Sequence, residues 1–243
     1  FEVKKAPFEV FMPKRSTGIV FFINNNRWNV RAQQEDIRPS IETSFRPLGV
    51  VDVVGEIETG DIPTPTGLHK NQSLIVYRNA YPNADLIYYI HHGSDVRFFI
   101  LIRFHSAPTV TDYKFAVNFS KPVSFKRKVN GVFTRWLEGS DLIVPLGSPV
   151  DLESDRPMSF EPAKIWDSNN GRTGGATGQR DWARKIDMIP MTISTSTAGY
   201  IITKKVPLNF FSGAIFPVYI DPTADFLTEA TPEEPVDGFA RNT

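Results

Sequence analysis

The sequence predicts an all-β protein of β-sandwich-like layered antiparallel sheets with long exposed loops. Three observations carry this reading. Apolar residues recur with period two. No stretch of a dozen residues sustains an i, i+3, i+4, i+7 stripe. Nineteen prolines are scattered along the 243 residues. Period two is the strand repeat, because successive side chains point to opposite faces. A proline inside a helix removes a hydrogen bond and clashes with the preceding turn.

The clearest strand covers residues 95–105. Val96, Phe98, Ile100, Ile102 and Phe104 share one face, and Arg97, Arg103 and His105 share the other with Phe99 and Leu101 between them. Residues 85–90 (DLIYYI) are apolar on both faces, as a central strand between two layers would be. Residues 114–119 alternate, with Phe115, Val117 and Phe119 inward. Shorter strands are expected at 19–23, 73–77, 142–146, 191–194, 200–206 and 216–220. Pro82-Asn83, His92-Gly93-Ser94, Asn130-Gly131 and Gly139-Ser140 read as the turns between strands. Asn130-Gly131, flanked by 125–129 and 132–136, is a two-residue hairpin signal. Short helical turns are expected near 181–185 and 208–212. Many short strands at this spacing make a layered sheet architecture.

Residues 1–223 read as one β-sandwich-type structural domain, with a subdivision near 150 left open, and residues 224–243 as an acidic C-terminal arm or linker. The arm carries Asp225, Glu229, Glu233, Glu234 and Asp237 against Arg241 alone, and its sparse apolar residues cannot bury a core of their own. Phe226 and Phe239 are its candidate anchors on a partner. Two segments read as exposed loops: 56–71, with Pro63, Pro65 and Gly67, and the Gly-rich polar stretch 167–180 (DSNNGRTGGATGQR). Arg172 and Arg180 in the second are candidate contact residues in an assembly. The chain opens on Phe1 rather than Met, which reads as a piece of something longer.

Composition narrows the chemistry. Lys plus Arg equals Asp plus Glu at 27 each, so the global field favours neither nucleic acid nor acidic polymers. With no cysteine, disulfides and thiolate catalysis are excluded. No run approaches the roughly 18 apolar residues of a membrane-spanning helix, so no membrane insertion is expected.

Four histidines are present: His69, His91, His92 and His105. His91 and His92 are neighbours at a strand end and point to opposite faces, so they do not readily chelate one metal. They read as surface or turn histidines. The Gly-rich stretch lacks the Gly-Lys-Ser/Thr ending of a phosphate loop and the spacing of a dinucleotide fingerprint. No Gly-x-Ser-x-Gly elbow occurs, and nothing marks two carboxylates as a glycosidase pair. The stretch 121–136 holds Lys121, Lys126, Arg127, Lys128 and Arg135 without an acid, interleaved with Phe125, Phe133 and Trp136. That pattern suits a polyanion, but on a neutral chain it also describes a hairpin with one solvated face. Asn71-Gln72-Ser73 and Asn118-Phe119-Ser120 match the glycosylation sequon, a match common by chance. The residue types therefore support no catalytic, metal or cofactor site.

Four phrases, in order, resemble a known group: Lys4-Lys5-Ala6-Pro7-Phe8-Glu9; VYRNAYPNADLIYYI at 76–90; FEPAKIWDSNNG at 160–171; and VPLNFFSGAIFPVYIDPT at 206–223. They resemble a β-rich domain of large bacterial secreted and cell-surface proteins, also found in structural proteins of tailed bacteriophages. The last phrase is the most specific, although the usual Trp is missing from its 206–212 segment.

The resemblance implies a scaffold with no catalytic residues to carry over. Its phage side implies a virion structural protein (decoration, minor capsid or fibre-anchoring) contacting other virion proteins and further copies of itself. Its bacterial side implies a secreted or cell-surface adhesion module with carbohydrate as partner. A β-scaffold hydrolase is the weaker third reading. The resemblance also makes 81–85 a turn into a buried strand, with the Asp85 carboxylate bonding nearby backbone N–H groups, and 216–223 a final strand with a proline stop.

Overall fold

The computed structural model describes residues 2–3, 8–24, 42–65, 67–92, 96–120, 123–129, 132–135, 142–144, 150–153, 159–160, 163–169, 172–173, 181–182, 186–221 and 224–225. The first strands are β1 (Glu2–Val3), β2 (Phe8–Phe11), β3 (Val20–Asn24), β4 (Glu42–Leu48), β5 (Glu56–Thr64), β6 (Gly67–Tyr81), β7 (Ala84–His92) and β8 (Val96–Phe104). There follow β9 (Asp112–Phe119), β10 (Ser124–Val129), β11 (Val132–Arg135), β12 (Leu142–Val144), β13 (Val150–Glu153), β14 (Ser159–Phe160) and β15 (Lys164–Trp166). The last are β16 (Arg172–Thr173), β17 (Asp181–Trp182), β18 (Ile186–Met188), β19 (Met191–Ser196), β20 (Gly199–Lys205), β21 (Val218–Asp221) and β22 (Ala224–Asp225), with a 3-10 turn at Leu208–Phe211. Every strand pairing among the described residues is antiparallel.

Two large sheets pack face to face, the sandwich that the period-two pattern predicts. One has the order β1-β2-β3-β4-β9-β20-β19-β12, the other β18-β15-β21-β8-β7-β6-β5. A five-stranded sheet (β11-β10-β13-β14-β22) and a two-stranded ladder (β16-β17) complete the described strands. Strands from beyond residue 150 take places in both large sheets.

The inner faces meet in one core. From the eight-stranded sheet come Val20, Phe45, Phe115, Val117 and Ile202, and from the seven-stranded sheet Tyr88, Phe98, Ile100, Ile102 and Ile220. Phe125 of β10 joins the same core. The two-sided reading of 85–90 holds: Leu86 and Tyr88 face this core, while Ile87 and Tyr89 face a second cluster on the outer side of the sheet.

That outer side explains the main departure from the expectations above. Residues 56–71 are not an exposed loop. They form most of a long hairpin, β5–β6, whose far half folds back over the seven-stranded sheet. The ladder between β6 and β7 covers Leu74–Tyr77 and Tyr81, while β5 and β6 stay paired out to Thr64 and Gly67. A register shift lies between Gly60 and Ile62, Asn71 opposite it has φ 52°, and the Asn71 N–H donates to Asp61 Oδ1 at 2.8 Å. Beyond this bend Ile62, Pro63 and Thr64 are buried. Prolines are tolerated because β5 is an edge strand, whose outward N–H positions need no partner.

Asp167, expected at the start of an exposed loop, is 2% exposed. Its carboxylate accepts from the Ile215 and Asn169 N–H groups, and Ser168 Oγ donates to the Pro217 carbonyl. The segment thus begins as a buried dock for 215–217, then pairs at Arg172–Thr173 with Asp181–Trp182, where a helical turn was expected. Of the expected arm, Ala224–Asp225 pair with β14, and 226–243 lie outside the described residues. The helical turn near 208–212 is present, as the 3-10 turn.

Candidate functional site

The outer face of the seven-stranded sheet gathers the most chemistry-bearing side chains among the described residues. At the sheet end where β7 begins, Asp85 is 1% exposed and both of its oxygens are engaged. Oδ1 accepts from the Asn79 N–H at 2.8 Å, and Oδ2 accepts from Arg103 Nη2 at 2.7 Å and contacts His105 Nε2 at 2.8 Å. Register explains the grouping: Asp85 sits opposite Arg103 on the adjacent strand, and His105 follows two residues on, on the same face. Asn79 is in the left-handed region (φ 53°), and its N–H, turned out of the β6 ladder there, needs this acceptor.

Burial works against ionisation of Asp85. The Asn79 N–H, the Arg103 guanidinium and the nearby His105 outweigh it and hold the carboxyl below its ordinary range. A carboxylate fixing one imidazole nitrogen is half of an acid–base device. Here the same carboxylate also carries an arginine and a backbone N–H, and Asp85 is the one described hydrogen-bond partner of the His105 ring. The cluster clamps the β6–β7 turn to the end of β8. Sequence reasoning found Asp85 and its backbone bond; Arg103 and His105 were placed on the correct face but not joined to it.

The middle of this face is apolar: Val76, Ile87, Leu101 and Trp166 are buried, and Trp166 stacks on Tyr219 with centroids 5.9 Å apart. Ile62 from the hairpin tip completes the cluster. At the far end His69, on the tip side of β6, stacks on His91 of β7 with centroids 3.6 Å apart and planes within 2°. His69 Nδ1 lies 3.2 Å from Tyr89 Oη, and His91 Nδ1 lies 3.3 Å from Gln72 Oε1. Phe99 stacks on Tyr89 at 4.7 Å and presents its edge to His69. Parallel stacked imidazoles aim their lone pairs side by side rather than at a common point, a poor geometry for chelation. No group of three or more His, Asp or Glu able to hold a metal occurs among the described residues. The His69–His91 pair could not be read from sequence, because it forms only when the hairpin folds over.

Of the four candidate contact residues, Arg172 lies in the β16–β17 ladder, while Arg180, Phe226 and Phe239 lie outside the described residues. The basic stretch forms the β10–β11 hairpin, with Val129 opposite Val132 across the two-residue connection; Lys121, Asn130, Gly131 and Trp136 lie outside the described residues. No helix among the described residues is long and apolar enough to cross a membrane. Comparison of the chain with protein-family models, with curated proteins and with solved structures finds no match in any of the three.

Proposed function

We propose that the chain is a non-enzymatic structural protein of a tailed-bacteriophage virion, a decoration, minor capsid or fibre-anchoring component that acts through contacts with other virion proteins and further copies of itself. One observation carries most weight. The residues of the recurring phrases occupy framework positions: Asp85 clamps a turn, Trp166 and Asp167 tie distant segments, and 218–221 is an interior strand of the seven-stranded sheet. Phrases spent on architecture suit a scaffold. Leu208, Ile215 and Phe216, exposed on the segment around the 3-10 turn, offer apolar contact area.

Mass spectrometry of purified particles tests the reading. The expected result is this chain at a fixed multiple copy number per particle, encoded beside portal or major capsid genes. A gene in a bacterial secretion locus, with the product in particle-free supernatant, would overturn it.

The second reading is a secreted or cell-surface adhesion module that binds carbohydrate. Phe21 and Phe216, 45% and 36% exposed, favour it, since sugar rings stack on open aromatic faces. A glycan array with no binder removes this version. Among the described residues, a hydrolase would have the Asp85–His105 pair to build on.

A further inference from the structure

We propose that the folded-over tip of the β5–β6 hairpin is an acid-released latch, held shut by the His69–His91 stack and opening when both rings take a proton. The geometry comes first. The tip is covalently continuous with the sheet only through the bend at Gly60–Asp61 and Asn71. Beyond the bend it is held by Ile62 in the outer apolar cluster, by the Trp166 Nε1 bond to the Pro63 carbonyl at 2.9 Å, and by His69 against His91, Tyr89 and Phe99.

Two neutral imidazoles stack without penalty, and one cation over one neutral ring is tolerated. Two cations with ring centroids 3.6 Å apart, at a partly buried site, repel. Lifting the tip separates the rings and lets each take its own proton. The free imidazole titrates near about 6.5, so the open form binds more protons than the closed form below that value. The closed-to-open ratio then falls by up to about tenfold per pH unit as pH drops below about 6.5.

Among the described residues, the surrounding groups do not supply a second trigger. From β7, Tyr89 stays a neutral phenol here, because burial pushes its pKa up. From β6, Gln72 is neutral and Lys70 is an exposed cation. From β8, Arg97 stands in register opposite His91. Asp61 of β5 is engaged by the Asn71 N–H, and the charge of Asp221 on β21 bears on Tyr89. Release would uncover Trp166, Tyr219, Tyr89 and Leu101, an aromatic surface beside the Asp85 clamp.

The test uses the whole chain. Histidine ring resonances are followed by NMR from pH 8 to 4.5, and amide exchange is measured at pH 7.5 and 5 with intrinsic rates corrected. The expected result is two titration steps for His69 and His91 separated by at least about one unit. Amides of 62–73 should lose at least tenfold protection at pH 5, while those of 84–104 hold theirs. His69→Gln and His91→Gln should each leave tip protection independent of pH in this range. Should either variant loosen the tip at every pH, the two-step titration in the unaltered chain still decides. Full tip protection at pH 5, coincident titration of the two rings, or an unchanged pH response in both variants would overturn the latch.

Discussion

The indole Nε1 of Trp166 donates to the Pro63 carbonyl at 2.9 Å, across 103 positions of chain and four intervening strands, β21, β8, β7 and β6. Neighbouring strands lie about 4.8 Å apart, so a flat β5 would stand about 24 Å from β15. The bond exists only because the hairpin doubles over the sheet. Trp166→Phe removes the donor, leaves a buried carbonyl unsatisfied and opens a small void, so a loss of about 2–4 kcal/mol is expected. Denaturant unfolding measures it, and amide exchange should locate the loosening in 62–73. A loss under about 1 kcal/mol, or a loosening spread evenly over the sheet, would show that the tip is held by other means.

Phe98 tests the inner register. It is 1% exposed and packs against Tyr88, with centroids 5.8 Å apart. Phe98→Ala should cost about 3–5 kcal/mol, because the sandwich cannot collapse around the lost ring. Equilibrium unfolding of the purified variant gives the number directly. A cost below about 1 kcal/mol would mean that the side chain is replaceable by solvent and that the strand's faces are exchanged.

How much could be read beforehand follows from where the governing interactions lie. Strand residues 98–104 and the two-sided run 85–90 were legible, because period two and burial on both sides are local patterns. Asp85 was legible as a buried turn carboxylate. The β5–β6 hairpin was not, because Pro63, Pro65 and Gly67 are breakers in isolation, and only the edge position of β5 excuses the proline within it, Pro63. Pro47 in β4 is tolerated for a related reason: it pairs with Phe115 on one side and lies beyond the last β3 partner on the other. Asp167 was misread because its acceptor role depends on Ile215, 48 residues away.

The Asp85 clamp predicts a defined acid response. Its folded-state pKa is depressed, so its contribution is complete above the unfolded value near about 4 and is lost as pH falls through the lower folded value. Asp85→Asn keeps the volume but sets an amide against Arg103, and should cost about 2–4 kcal/mol at pH 7, below the full price of a broken buried pair because Arg103 keeps 17% exposure. Melting curves from pH 2 to 7 should show the unaltered chain losing stability below about pH 4, with the variant flatter. Parallel curves for the two proteins would place the clamp's electrostatics elsewhere.

Lys204 supplies the opposite sign. It lies on β20, 1% exposed, facing the core between its cross-strand neighbours Tyr113 and Met191. Its Nζ donates one long bond, 3.4 Å, to the Asp221 carbonyl. Burial pushes the amine's pKa down to about 7, and the Asp221 charge offsets only part of that. The unfolded chain holds this proton up to about pH 10.4, so between the two values the unfolded state binds more protons and stability must rise with pH. Below about 7 both states are protonated, and the burial penalty is constant and largest. Lys204→Met keeps the length and removes the charge, so it should stabilise the fold by about 1–4 kcal/mol at pH 7, as apolar replacements of buried ions often do. The gain should shrink as pH rises toward 10, because the neutral amine of the unaltered chain no longer opposes folding. Stability curves of both proteins at pH 6, 7, 8, 9 and 10 isolate the effect, since every other titrating group is shared. A gain that stays constant over that span would mean that Lys204 folds with its proton in place, and a loss at pH 7 would mean that the bond to Asp221 outweighs the buried charge.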